Sequence, residues 1–199
     1  MESIESFADT YHTSSVRTIW SRLGYEVAKR LLDITVATVG LALFLPLLPV
    51  VAIAIKLDSE GPIFYHRKVV GRGGRAFRAF KLRTMCDYAV ISAMDEFDIN
   101  HKLREDPRTT GVGRLLRKTS IDEMPQLINV LKGEMSFVGP RMVSFPELEK
   151  FGIWQEKILS VKPGITGLWQ VSGRSDLSYE ERVRPVSYTH LTLPTILLV

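Results

Sequence analysis

At 199 residues the chain has room for one compact core attached to a membrane segment, which excludes two large domains. The single Cys86 excludes an intramolecular disulfide, in keeping with a reducing cytoplasmic location, and His12, His66, His101 and His190 are too scattered to suggest zinc or haem. The formal charge of +4 is modest but uneven: Arg67, Lys68, Arg72, Arg75, Arg78, Lys81 and Arg83 follow one another with no acid among them.

In chain order, residues 1–16 are polar and aperiodic and read as a mobile tail. Residues 17–60 read as a membrane-associated region: Arg17 to Arg30 is helical in pattern and leads into an uncharged apolar run from Ile34 to Ile55. That run has 22 residues, about 33 Å as one straight helix, against a hydrocarbon core of about 30 Å. Thirteen of them are Leu, Ile, Val or Phe, which together favour insertion by about 4 to 8 kcal/mol. Pro46 and Pro49 break it, because each lacks an amide hydrogen and frees a carbonyl four residues back. Lys29 and Arg30 precede the run and Lys56 follows it, which places both ends on the cytoplasmic side. The expectation is a re-entrant helix hairpin, with a kinked single span as the alternative.

After Gly61-Pro62, Ile63 to Val70 and Ala76 to Leu82 flank Gly71-Arg72-Gly73-Gly74 and predict a hairpin or long turn. No Gly-Lys-Ser/Thr follows and the dinucleotide fingerprint is poor, so the glycines do not indicate ATP or NAD. The cations of this stretch suit anionic lipid head groups or a phosphorylated substrate. With only two aromatics in the basic hairpin they form no recognised nucleic-acid module, and no nucleic-acid partner is expected. Helices are predicted at Glu96 to Arg104, at Gly113 to Lys118, and from about Thr119 through Leu131, stopped by Gly133. A further helix, Glu147 to Val161, opens after Phe145-Pro146 and suits either the membrane interface or a soluble core.

Asp122 and Glu123 place two adjacent carboxylates at a helix start, where Ser120 with Glu123 fits a capping box. Acids in a first turn also compensate the helix dipole in many helices that catalyse nothing. Lys81, Arg83, Arg117, Lys118 and the Gly139-Pro140-Arg141 turn are expected to share a site with them and to supply phosphate-binding groups. Two neighbouring carboxylates can divide labour, one holding Mg²⁺ and the other attacking phosphorus.

The blocks Lys81-Leu-Arg83-Thr84-Met85, Asp106-Pro107-Arg108, Arg117-Lys118-Thr-Ser-Ile-Asp122-Glu123-Met-Pro-Gln-Leu, Asn129-Val-Leu-Lys132-Gly133, Gly139-Pro140-Arg141 and Lys162-Pro163-Gly164-Ile-Thr166-Gly167-Leu-Trp169-Gln170 occur in one order. Together they resemble the bacterial sugar transferase family, the small monotopic polyprenyl-phosphate phosphoglycosyl transferases, over Lys29 to Arg184. The resemblance implies transfer of a sugar-1-phosphate from a nucleotide diphosphosugar, UDP-linked, to undecaprenyl phosphate on the cytoplasmic leaflet of the bacterial inner membrane. It implies Asp122 as nucleophile through a covalent phosphosugar enzyme and Glu123 as support for Mg²⁺. Arg141, Lys81 and Arg83 would bind phosphate groups. Other glycan-assembly enzymes are conceivable partners, and a catalytically silent membrane adaptor is the alternative function.

The fold class expected is α/β and helix-rich: a re-entrant membrane helix hairpin, then a small cytoplasmic catalytic domain, 61–184, with amphipathic interfacial helices and a short strand pair. Leu45-Pro46 stands where the family commonly has Ser-Pro, so no hydroxyl helps satisfy the freed carbonyls. Residues 185–199 contain no Asp, Glu, Lys or Arg, and read as a truncated or frame-shifted end that puts this chain's activity in question.

Overall fold

A computed structural model describes residues 24–86 and 108–167. The expected tail at 1–16, the helix at 96–104, the parts of the blocks at 106–107 and 168–170, and the end at 185–199 lie outside the described residues.

Helix α1, Gly24–Phe44, and helix α2, Leu48–Asp58, meet at an angle of 62° across residues 45–47. No single described helix is long and apolar enough to cross a membrane. The break falls where the prolines predict it: the Leu45 amide still donates to Leu41 at 2.8 Å, and Pro46 has none to offer Ala42. The next bonds, from Leu47 to Phe44 and Leu48 to Leu45, are turn-like, and Pro49 falls in the first turn of α2, where its missing N–H costs nothing. Both helices are two-faced. Ala37, Phe44, Val51 and Ile55 are buried, while Val39, Leu43, Leu45, Val50, Ile53 and Leu57 are exposed.

Strands β1, Phe64–Val70, and β2, Ala76–Leu82, form the expected antiparallel hairpin, with Phe64 opposite Leu82 and Val70 opposite Ala76. Helix α3, Gly111–Thr119, is followed by a 3-10 segment, Ile121–Gln126, and then by α4, Leu127–Lys132. Strands β3, Ser136–Val138, and β4, Gly164–Thr166, make a parallel pair that the sequence did not reveal; three residues are too few for alternation to register.

Two local expectations are corrected. Ser120 does not cap: it adopts a left-handed conformation (φ 58°, ψ 17°), and its amide closes α3 onto Leu116 and Arg117. The 3-10 segment starts without a side-chain cap, and the capping carboxylate is Glu147, accepting from the Ser144 amide at 2.8 Å and hydroxyl at 2.9 Å. The continuous helix expected at 147–161 is instead α5, Phe145–Glu149, and α6, Gln155–Leu159, separated by a 3-10 turn in which Gly152 has φ 48°. A left-handed residue cannot continue an α-helix.

The core forms around the bent helix pair. Ala37 of α1 packs with Val69, Ala79, Leu127, Val130, Met135 and Met142, which joins α1 to the hairpin and α4. Approach is close there, since a Cβ on Gly40 would lie 2.8 Å from Leu127 Cδ1. Phe44, Val51 and Ile55 pack with Leu82 and Leu116, seating the break and α2 on β2 and α3. A third cluster, Val70, Val143, Leu148 and Ile158, holds α5 and α6 to the end of β1.

Candidate active site

The Lys81 ammonium on β2 lies 3.0 Å from Asp122 Oδ2 and 3.0 Å from Glu123 Oε1. Asp122 is 3% exposed, whereas Lys81 and Glu123 are each about a quarter exposed. The pair therefore combines one acid withdrawn from solvent with one open to it.

The chain builds this arrangement locally. Ser120 reverses direction after α3, and the tighter 3-10 winding with Pro125 inside it carries Asp122 and Glu123 across the face of β2. Asn129, fully buried, then fixes α4 to the strand: it accepts from the Phe80 amide at 3.1 Å and donates to the Arg78 carbonyl at 2.8 Å and to Glu134 at 2.7 Å. Those strand residues precede Lys81, so Asn129 sets the height at which the ammonium meets the acids. A polar residue among the apolar positions of α4 was the signal available for it.

Arg117 is held by two hydroxyls, with Nε donating to Thr84 Oγ1 at 2.9 Å and Nη1 to Thr109 Oγ1 at 3.1 Å. Thr84 stood in the block at 81–85 without a role assigned to it, and Thr109 was not singled out from sequence. Helix α3 reaches this position because Gly113 sits against the strand exit: a Cβ there would lie 2.2 Å from the Thr84 carbonyl oxygen. Burial pushes the Asp122 carboxyl above its ordinary range. The Lys81 ammonium opposes that by charge and hydrogen bond, Glu123 adds to it, and the Arg117 charge opposes it.

The remaining predicted residues separate. Arg83 does not join the pair. It is 5% exposed, and its guanidinium donates to Glu60 O at 2.7 Å and to the Ser59 carbonyl and hydroxyl, so it closes the end of α2. Strand β2 ends at Leu82, and the alternation that would have set Arg83 beside Lys81 ends with it. Lys118 is exposed on the last turn of α3. Arg141 is exposed beyond β3, in a parallel bridge with Gly164. The basic run 67–83 is likewise divided among tasks: Arg67 pairs with Glu147 at 2.7 Å, Arg72 lies 3.7 Å from Glu26, and Lys81 serves the acids.

Among the described residues no group of three or more His, Cys, Asp or Glu could hold a metal. Two adjacent hard oxygen donors already gathered around one cation nevertheless fit Mg²⁺, which commonly takes one or two carboxylates and completes its shell with water and substrate phosphate oxygens.

Residues 24–191 match the model of the family described as bacterial sugar transferase. The exopolysaccharide production protein ExoY of Rhizobium meliloti is 42% identical over 167 residues, covering 79% of this chain and 74% of that protein. A UDP-galactose-lipid carrier transferase of Erwinia amylovora is 44% identical over 78% of this chain, which spans only 34% of that longer protein. A UDP-glucose:undecaprenyl-phosphate glucose-1-phosphate transferase of Caulobacter vibrioides is 42% identical over 76% of this chain and 56% of its own length. With a match running from the start of α1 past β4, the chain belongs to the bacterial sugar transferase family.

Proposed function

We propose that this chain transfers a sugar-1-phosphate from a UDP-sugar to undecaprenyl phosphate at the cytoplasmic face of the bacterial membrane, opening exopolysaccharide or other surface-glycan synthesis. The observation that carries the reading is the buried Asp122 beside Glu123, both tied to Lys81. The names of the Erwinia and Caulobacter relatives support the donor and acceptor.

Asp122 Oδ attacks the sugar-proximal phosphorus, forming an oxygen–phosphorus bond as the bond to the bridging oxygen breaks and the nucleoside monophosphate leaves. A phosphate oxygen of undecaprenyl phosphate then displaces the carboxylate, regenerating Asp122 and giving the lipid-linked diphosphosugar. Lys81 opposes the rise that burial imposes on the Asp122 carboxyl, favouring the attacking carboxylate, and orients both acids. Arg117, fixed by Thr84 and Thr109, adds positive charge beside the attacking group. Lys118 and Arg141 remain the phosphate-binding candidates, while the contacts of Arg83 support a structural role. Asp122 and Glu123 would hold Mg²⁺, which when bound supplies charge neutralisation for the diphosphate.

The way both ends of the bent pair are tied supports a re-entrant seat in the membrane. At the start of α1, Arg30 donates to the carbonyls of Val130 at 2.6 Å and Leu131 at 2.7 Å. At the end of α2, Arg83 takes the terminal carbonyls, and Asp58 Oδ2 accepts from the Val112 amide at 2.8 Å. Both ends thus attach to one body, which supports entry and exit on the same side, and the exposed apolar residues between them suit lipid. The test is membranes given labelled UDP-sugar, Mg²⁺ and undecaprenyl phosphate. Lipid-linked product that Asp122→Asn abolishes is expected. Product surviving that change overturns the nucleophile, and none from the parent chain favours an adaptor.

A further inference from the structure

A cavity of about 230 Å³ opens where the start of α1 meets the β3 and β4 region, and none of Lys81, Arg117, Asp122 or Glu123 lines it. Its charged lining is Lys29, Arg30, Arg72 and Lys162 against Glu26 and Asp33. Asp33 is buried and belongs to Lys29, Ser136 Oγ at 3.1 Å and the Phe137 amide at 3.0 Å. Glu26 faces Arg72 at 3.7 Å, with both side chains more than half exposed. Arg30 binds only neutral carbonyls, and among the described residues neither Arg30 nor Lys162 has a carboxylate partner. These two charges border the same point, since a Cβ built on Gly133 would lie 3.7 Å from Arg30 Nη2 and 3.7 Å from Lys162 Nζ.

A second cavity, of about 520 Å³, shares Arg72 and Lys162 and adds Arg75 and Glu134, whose carboxylate is occupied by Asn129. The two hollows meet at the Gly71-Arg72-Gly73-Gly74 turn, a feature to which the transfer chemistry gives no task. Four cations face two acids in the first hollow, an excess of two positive charges, and a phosphomonoester carries close to two negative ones at neutral pH.

We propose that Arg30, Arg72 and Lys162 form a second phosphate site, separate from the carboxylate pair, that takes a phosphomonoester dianion. Lys162 is pushed below its ordinary value by burial first, then by Arg30, with Arg72 adding to it and Asp33 and Glu26 opposing. The monoester comes either from a lipid head group, since the cavity lies at the start of α1, or from a soluble phosphate.

The test uses the full chain carrying Asp122→Asn, in phosphatidylcholine nanodiscs without divalent metal, so binding is read without turnover and fails or succeeds independently of the transfer reaction. Inorganic phosphate is titrated against the thermal midpoint, with sodium chloride at matched ionic strength as control. A saturable rise is expected, weakened at least tenfold by Arg72→Gln with Lys162→Gln, and retained by Lys162→Arg. Lys162→Gln alone is read by the same tenfold criterion if the double variant does not fold. A response to discs containing phosphatidic acid, a monoester, but not phosphatidylglycerol, a diester, assigns the lipid source; a response to inorganic phosphate alone assigns the soluble one. Equal responses in parent and charge-removed chains, or a rise matched by chloride, overturn the site.

Discussion

At the carboxylate pair two acids share one ammonium in contact, whereas along the cavity wall Arg30 and Lys162 have no carboxylate partner among the described residues. The first region is built from a reversal and a 3-10 segment set against β2; the second from the start of α1, the hairpin turn and the β3–β4 region. In both, backbone hydrogen bonds and apolar packing fix the positions of charges that do not balance one another. The fold fixes the geometry of each region and leaves an excess of one sign in it: two carboxylates around one ammonium in the first, four cations facing two acids in the second. Burying like charges together is unfavourable, and the large apolar contacts around α1 and β2 offset that cost.

The most severe way to break the acid side is Asp122→Asn. Transfer should fall by about 10⁴-fold or more, measured as lipid-linked product. Folding should not suffer. The folded pKa of Asp122 is raised, so its favourable contribution is present below the unfolded pKa and is lost as pH rises through the folded value. Because the folded state disfavours the charged form of this side chain, the neutral amide should leave the thermal midpoint unchanged or raise it. Glu123→Gln should cost about 10²- to 10³-fold and raise the Mg²⁺ concentration needed for half-maximal rate. A loss equal to that of Asp122→Asn would contradict the division of labour between the two acids.

Two substitutions separate support from chemistry. Gly113→Ala forces a Cβ into the Thr84 carbonyl and should cost about 1 to 3 kcal/mol in denaturant unfolding, displacing Arg117 with it. Arg83→Met removes the donors that close α2 and should cost about 2 to 3 kcal/mol, with the KM for donor unchanged. A large rise in that KM at near-normal stability would return Arg83 to the phosphate-binding set. The smallest effect expected is on pH dependence. Activity should fail toward acid as Asp122 protonates above the ordinary carboxylate range, and Lys81→Met should move that limb to still higher pH, because Lys81 opposes the rise.

Much of the acid side was legible in sequence because its determinants are local. Two prolines place the helix break at 45–47, four turn residues place the hairpin, and the adjacent acids mark the reversal after α3. The basic side was not legible, since it joins Arg30, Arg72 and Lys162 from three distant segments and the strand pair beside it is only three residues long. Local rules also misled where tertiary context overrode them. Ser120 and Glu123 have capping-box spacing, yet the left-handed turn needed to bring Asp122 to Lys81 leaves Ser120 unable to cap. Helical periodicity through 147–161 hides the break at Gly152, and Arg83 looks like a neighbour of Lys81 only while the strand is assumed to continue.

The most direct measurement is intact-protein mass spectrometry of the full chain incubated with UDP-sugar and Mg²⁺ but no undecaprenyl phosphate. The account predicts one added sugar phosphate, mapped to Asp122, discharged when undecaprenyl phosphate is supplied and absent from Asp122→Asn. Lipid-linked product formed with no such adduct, or an adduct that persists in Asp122→Asn, would contradict it.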